Sequence, residues 1–300
     1  MKQERPTSLN ERLARLTERA RNSLAYTWWW YPISAAIVAL TSTWYLLGPG
    51  HCAPLGYPLD DAWIHQSFAR TLAQTGQFAF APGRPGTGST SPLWTLWLAL
   101  GYRVGLPPVL WSYALGALAW LLTAWTAQRL ARRLFVARQP AVPWVALACL
   151  LEWHLAWAAL SGMEIALFGY LSILLLERYA ARARPLGLGL LAGLVIWTRP
   201  EGAIVAAAIL LGEMLPWVAS LLPAARTTGP DPRMGRGVGR AGRLRLLSLL
   251  AGLTGTLVPY LALNLSISGQ PFPSTLYAKQ AEYGILLAQP FWHRLWVVVR

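Results

Sequence analysis

A succession of apolar segments bounded by arginine-rich stretches constrains this chain more than any other feature of its sequence. The apolar segments cover residues 28–47, 107–128, 141–160, 163–177, 186–197, 202–222 and 246–263, and another begins at 291. A helix of about 20 residues crosses the roughly 30 Å hydrocarbon core of a membrane, and charged residues make up only 13% of the chain. The pattern therefore predicts an all-α fold, a polytopic bundle of transmembrane helices.

The distribution of lysine and arginine indicates which side of the membrane each loop occupies. The basic residues concentrate in residues 2–21, 129–138, 178–184 and 226–245. Because cytoplasmic loops are enriched in Lys and Arg, we expect these stretches to face the cytoplasm and the other loops to be extracytoplasmic. The chain then divides into a cytoplasmic basic segment, 1–27, and a multi-pass domain in the cell membrane, 28–300. It ends inside an apolar run, and we expect it to be truncated there.

The first outer loop, about residues 48–106, is predicted to hold helices that lie at the membrane surface. Residues 92–105 are apolar but too short to span, and a crossing there would place the next arginine cluster on the wrong side. Earlier in the loop, Ile64, Phe68 and Leu72 recur at helical spacing. The fold prediction thus includes an outer-face loop containing interfacial helices, which suits a chain with 17 Trp residues.

Composition narrows the partners and metal sites that the chain can have. The net charge of +14 could indicate nucleic acid. The basic residues alternate with apolar segments and build no continuous surface, so we expect no nucleic-acid partner. The two cysteines, Cys52 and Cys149, lie far apart; this argues against a disulfide and excludes a metal site made of cysteines.

Two adjacent acids, Asp60 and Asp61, are the only acidic residues of the first outer loop. They start the predicted helix, where the helix dipole and free N–H groups favour carboxylates, so capping alone is one interpretation. One Asp suffices to cap a helix, however, and two neighbouring carboxylates repel each other. The pair therefore also indicates a cation site or a proton-transfer role.

The end of the same loop offers donors for an anion. Ser89 and Thr90 lie in a Gly-Ser-Thr-Ser run whose N–H and hydroxyl groups can cradle an anion, and Arg84 could face a phosphate. An ordinary solvated connector is the alternative interpretation.

Two further outer stretches carry cations between apolar segments. Arg199 and Glu201 stand in a Thr-Arg-Pro-Glu-Gly break, where the planar guanidinium suits a phosphate and an Arg199–Glu201 ion pair is the alternative. Tyr277 and Lys279 stand in a third stretch, where the lysine could bind an anion or extend along the membrane surface.

Four polar residues stand close to or within apolar segments. Glu164 begins one, and we expect it to cap a helix. Glu152 and His154 could line a cavity, but a satisfied pair in the core is the favoured interpretation. Glu213 falls inside a predicted span without an obvious partner.

The sequence from Asp60 to Leu100 resembles the first outer loop of C-type (GT-C) glycosyltransferases, membrane enzymes that use polyprenyl-phosphate sugars. Three later matches follow in the expected order: SGMEIALF at 161–168, TRPEG at 198–202 and PFPSTLYAK at 271–279. The nearest branch is that of the terminal arabinofuranosyltransferases and protein mannosyltransferase-like enzymes.

The resemblance implies transfer of a hexosyl or pentosyl group, with inversion, from a polyprenyl-phosphate donor to a hydroxyl of an extracytoplasmic glycan, lipid or protein. Asp60 would be the general base. Asp61 would assist it and would hold a divalent cation, Mg²⁺ or Mn²⁺, if one takes part. The donor phosphate would be bound by Arg199, Lys279 and Arg84, with Ser89, Thr90, Glu201 and Tyr277 as supporting residues.

Two other functions remain as alternatives on the sequence. A transporter or flippase of lipid-linked sugars would need polar residues along a path through the membrane, and the predicted spans hold few. A non-catalytic protein that binds membrane lipid would not depend on Asp60.

Overall fold

The computed structural model describes residues 29–48, 56–135, 142–221 and 240–299, and the predicted basic segment 1–27 and Cys52 lie outside them. The helices are α1 (Trp30–Leu47), α2 (Asp61–Thr75), α3 (Pro92–Arg103), α4 (Pro108–Leu134), α5 (Trp144–Leu151), α6 (Trp153–Ala159), α7 (Ile165–Ala180), α8 (Pro185–Thr198), α9 (Gly202–Leu221), α10 (Arg240–Ser268), α11 (Ser274–Leu287) and α12 (Phe291–Val299). An antiparallel hairpin of β1 (Ala79–Ala81) and β2 (Arg84–Pro85) joins α2 to α3. The prediction of an all-α fold is confirmed.

Two of the described helices, α4 and α10, are long and apolar enough to cross a membrane. Only 22% of the most apolar window of α10 is buried inside the protein, and Leu247 and Val258 are more than half exposed. In a soluble domain, other parts of the protein would surround a core helix on most sides. A helix in a membrane can instead expose its apolar side chains to lipid. These two helices indicate that the protein associates with a membrane.

Helices α4 and α7 pack side by side, as do α8 and α10. The second contact depends on glycine: a Cβ on Gly189 would lie 2.0 Å from the carbonyl oxygen of Leu249, and one on Gly252 would lie 2.2 Å from that of Leu186. Small residues let two helix backbones touch, which is how helices associate in lipid. The contact holds α8 in position, and α8 ends at Thr198, immediately before the Thr-Arg-Pro-Glu-Gly break that contains Arg199.

Residues 56–106 of the predicted outer loop fold onto one end of this bundle. In this loop α2 packs against α3, and α3 also contacts α4 and α8. Trp94 and Leu98 of α3 are buried together with Ala69 of α2. The helix predicted from Ile64, Phe68 and Leu72 is α2, and residues 92–105 form a separate short helix, as expected.

The structure corrects two expectations about apolar segments and their polar residues, and it supplies the partner that the sequence did not reveal for Glu213. The segment 141–160 is broken at Glu152, which caps α6 by accepting a hydrogen bond from the backbone N–H of Leu155. Glu152 and His154 do pair, at 2.5 Å between oxygen and Nδ1, but both side chains are exposed instead of forming a core pair. Glu213 has a partner, because its carboxylate lies 2.8 Å from Nε of Arg245.

Candidate functional site

Asp60 and Asp61 lie at the start of α2, and both side chains are exposed. Asp60 occupies the N-cap position but its carboxylate accepts no capping hydrogen bond. Neither carboxylate has a hydrogen-bond or ion-pair partner among the described residues. The structure therefore offers no support for the interpretation that Asp60 merely caps the helix, and it leaves the oxygens of both carboxylates open.

One turn further along α2, the side chain of His65 points into the protein. Its Nε2 lies 3.0 Å from Oε2 of Glu164, and both side chains are nearly inaccessible to solvent. Asp61 and His65 are four residues apart, a spacing that places their Cβ atoms about 5–6 Å apart on one helix face. The open acid pair thus stands beside a buried histidine–carboxylate contact.

Glu164 joins this contact to the Arg199 break. Its Oε1 accepts a hydrogen bond of 2.9 Å from Nη1 of Arg199, and Nη2 of the same arginine lies 3.1 Å from Oε1 of Glu201. Arg199 is one-third exposed, whereas Glu201 is 57% exposed. The predicted Arg199–Glu201 ion pair is present, and the arginine additionally reaches a buried acid.

On its other side His65 contacts the serine-rich run. Its Nδ1 lies 2.9 Å from Oγ of Ser89, and that oxygen lies 2.7 Å from Oγ1 of Thr95; both hydroxyl residues are buried. An ionised Glu164 only accepts, so the proton of a neutral imidazole belongs on Nε2. Nδ1 then accepts from Ser89, whose oxygen accepts from Thr95.

Tyr57 holds the start of the loop against the bundle. Its hydroxyl accepts a 2.5 Å hydrogen bond from Nε2 of Gln66 and lies 2.8 Å from Oγ of Ser112 on α4. Its ring covers Gly162, which has φ of 78° and no room for a Cβ. The carbonyl of Gly162 in turn accepts from the Trp94 indole at 3.1 Å.

The last of the outer stretches is tied to the same loop by one hydrogen bond. The backbone N–H of Ser274, which begins α11, donates to Oγ1 of Thr87 at 2.9 Å. Stretches from four distant parts of the sequence, around residues 60–95, 161–164, 198–202 and 271–279, therefore meet at one end of the bundle.

The contacts shift the ionisation of two acids and of the arginine between them. Burial alone would raise the pKa of Glu164, but hydrogen bonding and charge from His65, with the charge of Arg199, lower it below the ordinary 4.5. The hydrogen bond from Arg199 likewise lowers the pKa of Glu201. Burial opposes the charge on Arg199, yet both carboxylates together raise its pKa. All three groups are charged at neutral pH.

The other predicted site residues lie outside this cluster of contacts. Arg84 in β2 and Lys279 in α11 are exposed, and neither side chain has a hydrogen-bond or ion-pair partner among the described residues. Thr90 and Tyr277 are half-buried. Ser89, Arg199 and Glu201 are thus the predicted residues that the structure links through side chains.

Reasoning from the residues missed the two groups at the centre of the cluster. The sequence patterns assign no role to His65. Glu164 was expected to cap α7, yet it occupies that N-cap position without making a capping hydrogen bond. Two signals were available: a histidine on the buried face of an amphipathic helix, and a glutamate inside a motif that matched the resemblance.

The acid pair is also the place where a divalent cation would fit. The described residues contain no group of three or more His, Cys, Asp or Glu side chains that could form a complete protein site. Magnesium, however, is commonly held by one or two carboxylates together with substrate phosphates. Two open neighbouring carboxylates satisfy that requirement, with Asp61 as the residue available if Asp60 acts as a base.

Comparison of the chain with models of protein families, with curated proteins and with solved structures found no match.

Proposed function

We propose that this protein is a multi-pass membrane glycosyltransferase that transfers a sugar from a polyprenyl-phosphate donor to an extracytoplasmic acceptor hydroxyl. The observation that carries the proposal is the position of Asp60 and Asp61. These open carboxylates stand one helical turn from a buried His65–Glu164 contact that continues to Arg199. An acid free to accept a proton and an arginine suited to a phosphate thus lie on elements that the His65–Glu164 contact holds together.

Asp60 is the proposed general base. It would take the proton from the acceptor hydroxyl while that oxygen attacks the anomeric carbon and the bond to the donor phosphate breaks, so that the configuration at this carbon inverts. The proton ends on the Asp60 carboxylate and the bonding electrons leave with the polyprenyl phosphate. Asp60 suits the role because neither a capping hydrogen bond nor an ion pair occupies it. General base catalysis of this kind contributes about 10²–10⁴-fold.

Arg199 is proposed to stabilise the phosphate that leaves. Its side chain is one-third exposed while its inner face is held by Glu164, so the guanidinium is fixed but still reachable. A preorganised cation stabilises the developing negative charge without having to reorient during the reaction. Lys279 and Arg84, exposed and without partners among the described residues, are the proposed further contacts of the donor phosphates, with Tyr277 and Thr90 beside them.

Buried contacts hold these groups in place. The His65–Ser89–Thr95 chain fixes the first turns of α2 to α3, and Glu164 and Glu201 together fix Arg199. We propose Ser89 and Glu201 as positioning residues for this reason. If the reaction uses Mg²⁺ or Mn²⁺, Asp61 would hold it and the ion would offset phosphate charge.

The proposed orientation places this site outside the cytoplasm. Arg133 and Glu177 form an ion pair near the C-termini of α4 and α7, at the end of the bundle away from the acid pair. Because arginine-rich ends face the cytoplasm, the acid pair would face the opposite compartment. That position suits an acceptor glycan, lipid or protein of the cell envelope.

A transfer assay tests the proposal. The full chain, purified in detergent, is given radiolabelled polyprenyl-phosphate sugars and a membrane glycolipid extract. Asp60→Asn should lower transfer by about 10²–10⁴-fold, while Glu282→Gln, which removes another exposed acid, should leave it unchanged. The variants are compared by size-exclusion profile and thermal unfolding, so that a misfolded protein is not mistaken for an inactive one.

Label that moves equally well in the wild type and in Asp60→Asn would overturn the assignment of the base. A folded wild type that transfers no label from any donor would instead support the transport or lipid-binding alternatives.

A further inference from the structure

The end of the bundle opposite the acid pair contains a small cleft between α1, α4 and α5. It measures about 50 Å³ and is lined by Trp30, Tyr31, Trp125, Gln128, Arg129 and Arg132, among others. Ser112 and Arg132, both on α4, are about 20 residues apart, which corresponds to roughly 30 Å along a helix. The cleft therefore lies about one hydrocarbon thickness away from the candidate active site.

The cleft contains side-chain N–H donors that lack acceptors among the described residues. The indole N–H of Trp125 donates to Oγ of Ser34 at 2.8 Å, but the buried indole N–H of Trp30 has no acceptor among the described residues. The guanidinium group of Arg132 likewise has no hydrogen-bond or ion-pair partner in the described part of the chain. Arg129 donates to Thr126 and lies 3.9 Å from the Glu177 carboxylate. An unsatisfied buried donor beside two guanidinium groups requires an acceptor, and an anion meets that requirement.

The walls indicate where that anion comes from. Tyr31 and Trp125 pack edge to face, with ring centroids 4.8 Å apart, and Trp30 lies beside them. Tyrosine and tryptophan rings favour the headgroup level of a membrane. Further along α1, Leu40 and Trp44 are more than 70% exposed, as expected for a surface covered by acyl chains. An anion at this depth, next to such a surface, is the phosphate of a lipid.

We propose that this cleft binds the headgroup phosphate of an anionic phospholipid in the cytoplasmic leaflet. Arg132 and Arg129 contact the phosphate oxygens, the Trp30 N–H donates to one of them, and the acyl chains lie along the exposed side of α1. Basic pockets between transmembrane helices on the cytoplasmic side are suited to such headgroups. The assignment of this site to the cytoplasmic leaflet depends on the proposed orientation of the protein. The site itself does not depend on the proposed transfer reaction.

Native mass spectrometry of the full chain in detergent tests this site. The protein is titrated with phosphatidylglycerol and, separately, with phosphatidylcholine of the same acyl length. We expect the first phosphatidylglycerol to bind about tenfold more tightly than phosphatidylcholine, because both lipids carry the phosphate but phosphatidylcholine also brings a positive choline group beside Arg129 and Arg132. Arg132→Gln should remove that preference, and Arg132→Lys should restore part of it.

Three further proteins make the test specific. Arg182→Gln removes the same charge from another exposed arginine and should keep the preference. Trp30→Phe keeps the ring but removes the unpaired donor, so it should fold normally and bind phosphatidylglycerol several-fold more weakly. Asp60→Asn should bind as the wild type does, which separates this site from the proposed reaction.

Each contrary result overturns the proposal. A wild type without preference for phosphatidylglycerol would mean that no anionic lipid site exists. Equal losses in Arg132→Gln and Arg182→Gln would mean that general charge, and not this cleft, binds lipid. Inorganic phosphate at millimolar concentration that displaces phosphatidylglycerol completely would show that a free anion suffices and that the occupant is not a lipid.

Discussion

The imidazole of His65 and the carboxylate of Glu164 lie 3.0 Å apart, although His65 belongs to the first outer loop and Glu164 stands at the start of α7. The contact fixes the loop that carries the acid pair to the bundle that carries Arg199. A buried carboxylate that loses its partners retains its desolvation cost. Both the shape of the site and the stability of the fold should therefore depend on Glu164.

Replacement of Glu164 by Gln should lower stability by about 1.5–3 kcal/mol, the range for hydrogen bonds to charged groups. Gln keeps the size of the side chain but removes the charge that Arg199 faces. The apparent Tm in detergent, followed by intrinsic fluorescence, should fall by several degrees. Glu201→Gln is the matched control: because Glu201 is 57% exposed, its loss should cost less than about 1 kcal/mol. Equal losses in the two variants would contradict the central role of the buried acid.

The lowered pKa of Glu164 leads to a second prediction, about how the stability of the fold depends on pH. Since its folded pKa lies below the ordinary 4.5, the ionised carboxylate stabilises the fold above pH 4.5 and loses this effect as pH falls through the folded pKa. The difference in apparent Tm between the wild type and Glu164→Gln should narrow as the pH falls below about 4.5, because the wild type then loses the charge that the variant never has. A difference in apparent Tm that widens as the pH falls below 4.5 would contradict a lowered pKa for Glu164.

Patterns within one segment made α2 and α3 predictable. Ile64, Phe68 and Leu72 identified α2 by their spacing, and the shortness of 92–105 identified a helix that does not span. Contacts between segments could not be read in this way. His65 pairs with Glu164, and Glu213 pairs with Arg245, although the partners are far apart in the sequence. The spacing of residues within one segment does not determine which residues of another segment they will contact. The sequence did place Arg199 beside Glu201, because these two residues are near neighbours.

Arg199→Lys provides a third test, of the shape of the cation as well as its charge. One guanidinium contacts both Glu164 and Glu201, and a lysine ammonium cannot reproduce that planar fork. We expect transfer to fall about tenfold, the equivalent of one lost contact of about 1.4 kcal/mol. Arg133→Lys is the matched control, since Arg133 also pairs with a buried acid, Glu177, but at the other end of the bundle. An equal loss of transfer in both variants would mean that Arg199 acts through stability alone.

The glycine contact between α8 and α10 gives a fourth prediction. Gly189→Ala would place a methyl group 2.0 Å from the carbonyl oxygen of Leu249, so the helices must separate. Gly187→Ala, in the same helix, meets nothing within 4 Å and should be neutral or slightly stabilising, because alanine favours a helix. We expect the first variant to lower apparent Tm and the yield of monodisperse protein on size exclusion, and the second to match the wild type. Similar behaviour of the two would mean that this contact does not hold α8 in place.

The proposed orientation makes a fifth prediction, about labelling from either side of the membrane. In a variant with Cys52 and Cys149 replaced by Ser, a single Gly86→Cys change lies in the outer loop, where a new side chain meets nothing within 4 Å. Arg184→Cys instead lies at the exposed start of α8, in an arginine-rich stretch. On intact cells, a membrane-impermeant maleimide should label the first variant and reach the second only after permeabilisation, since arginine-rich loops stay in the cytoplasm. The reverse pattern would place the acid pair in the cytoplasm and exclude an extracytoplasmic acceptor, whereas labelling of both in intact cells would show that no membrane separates the two positions.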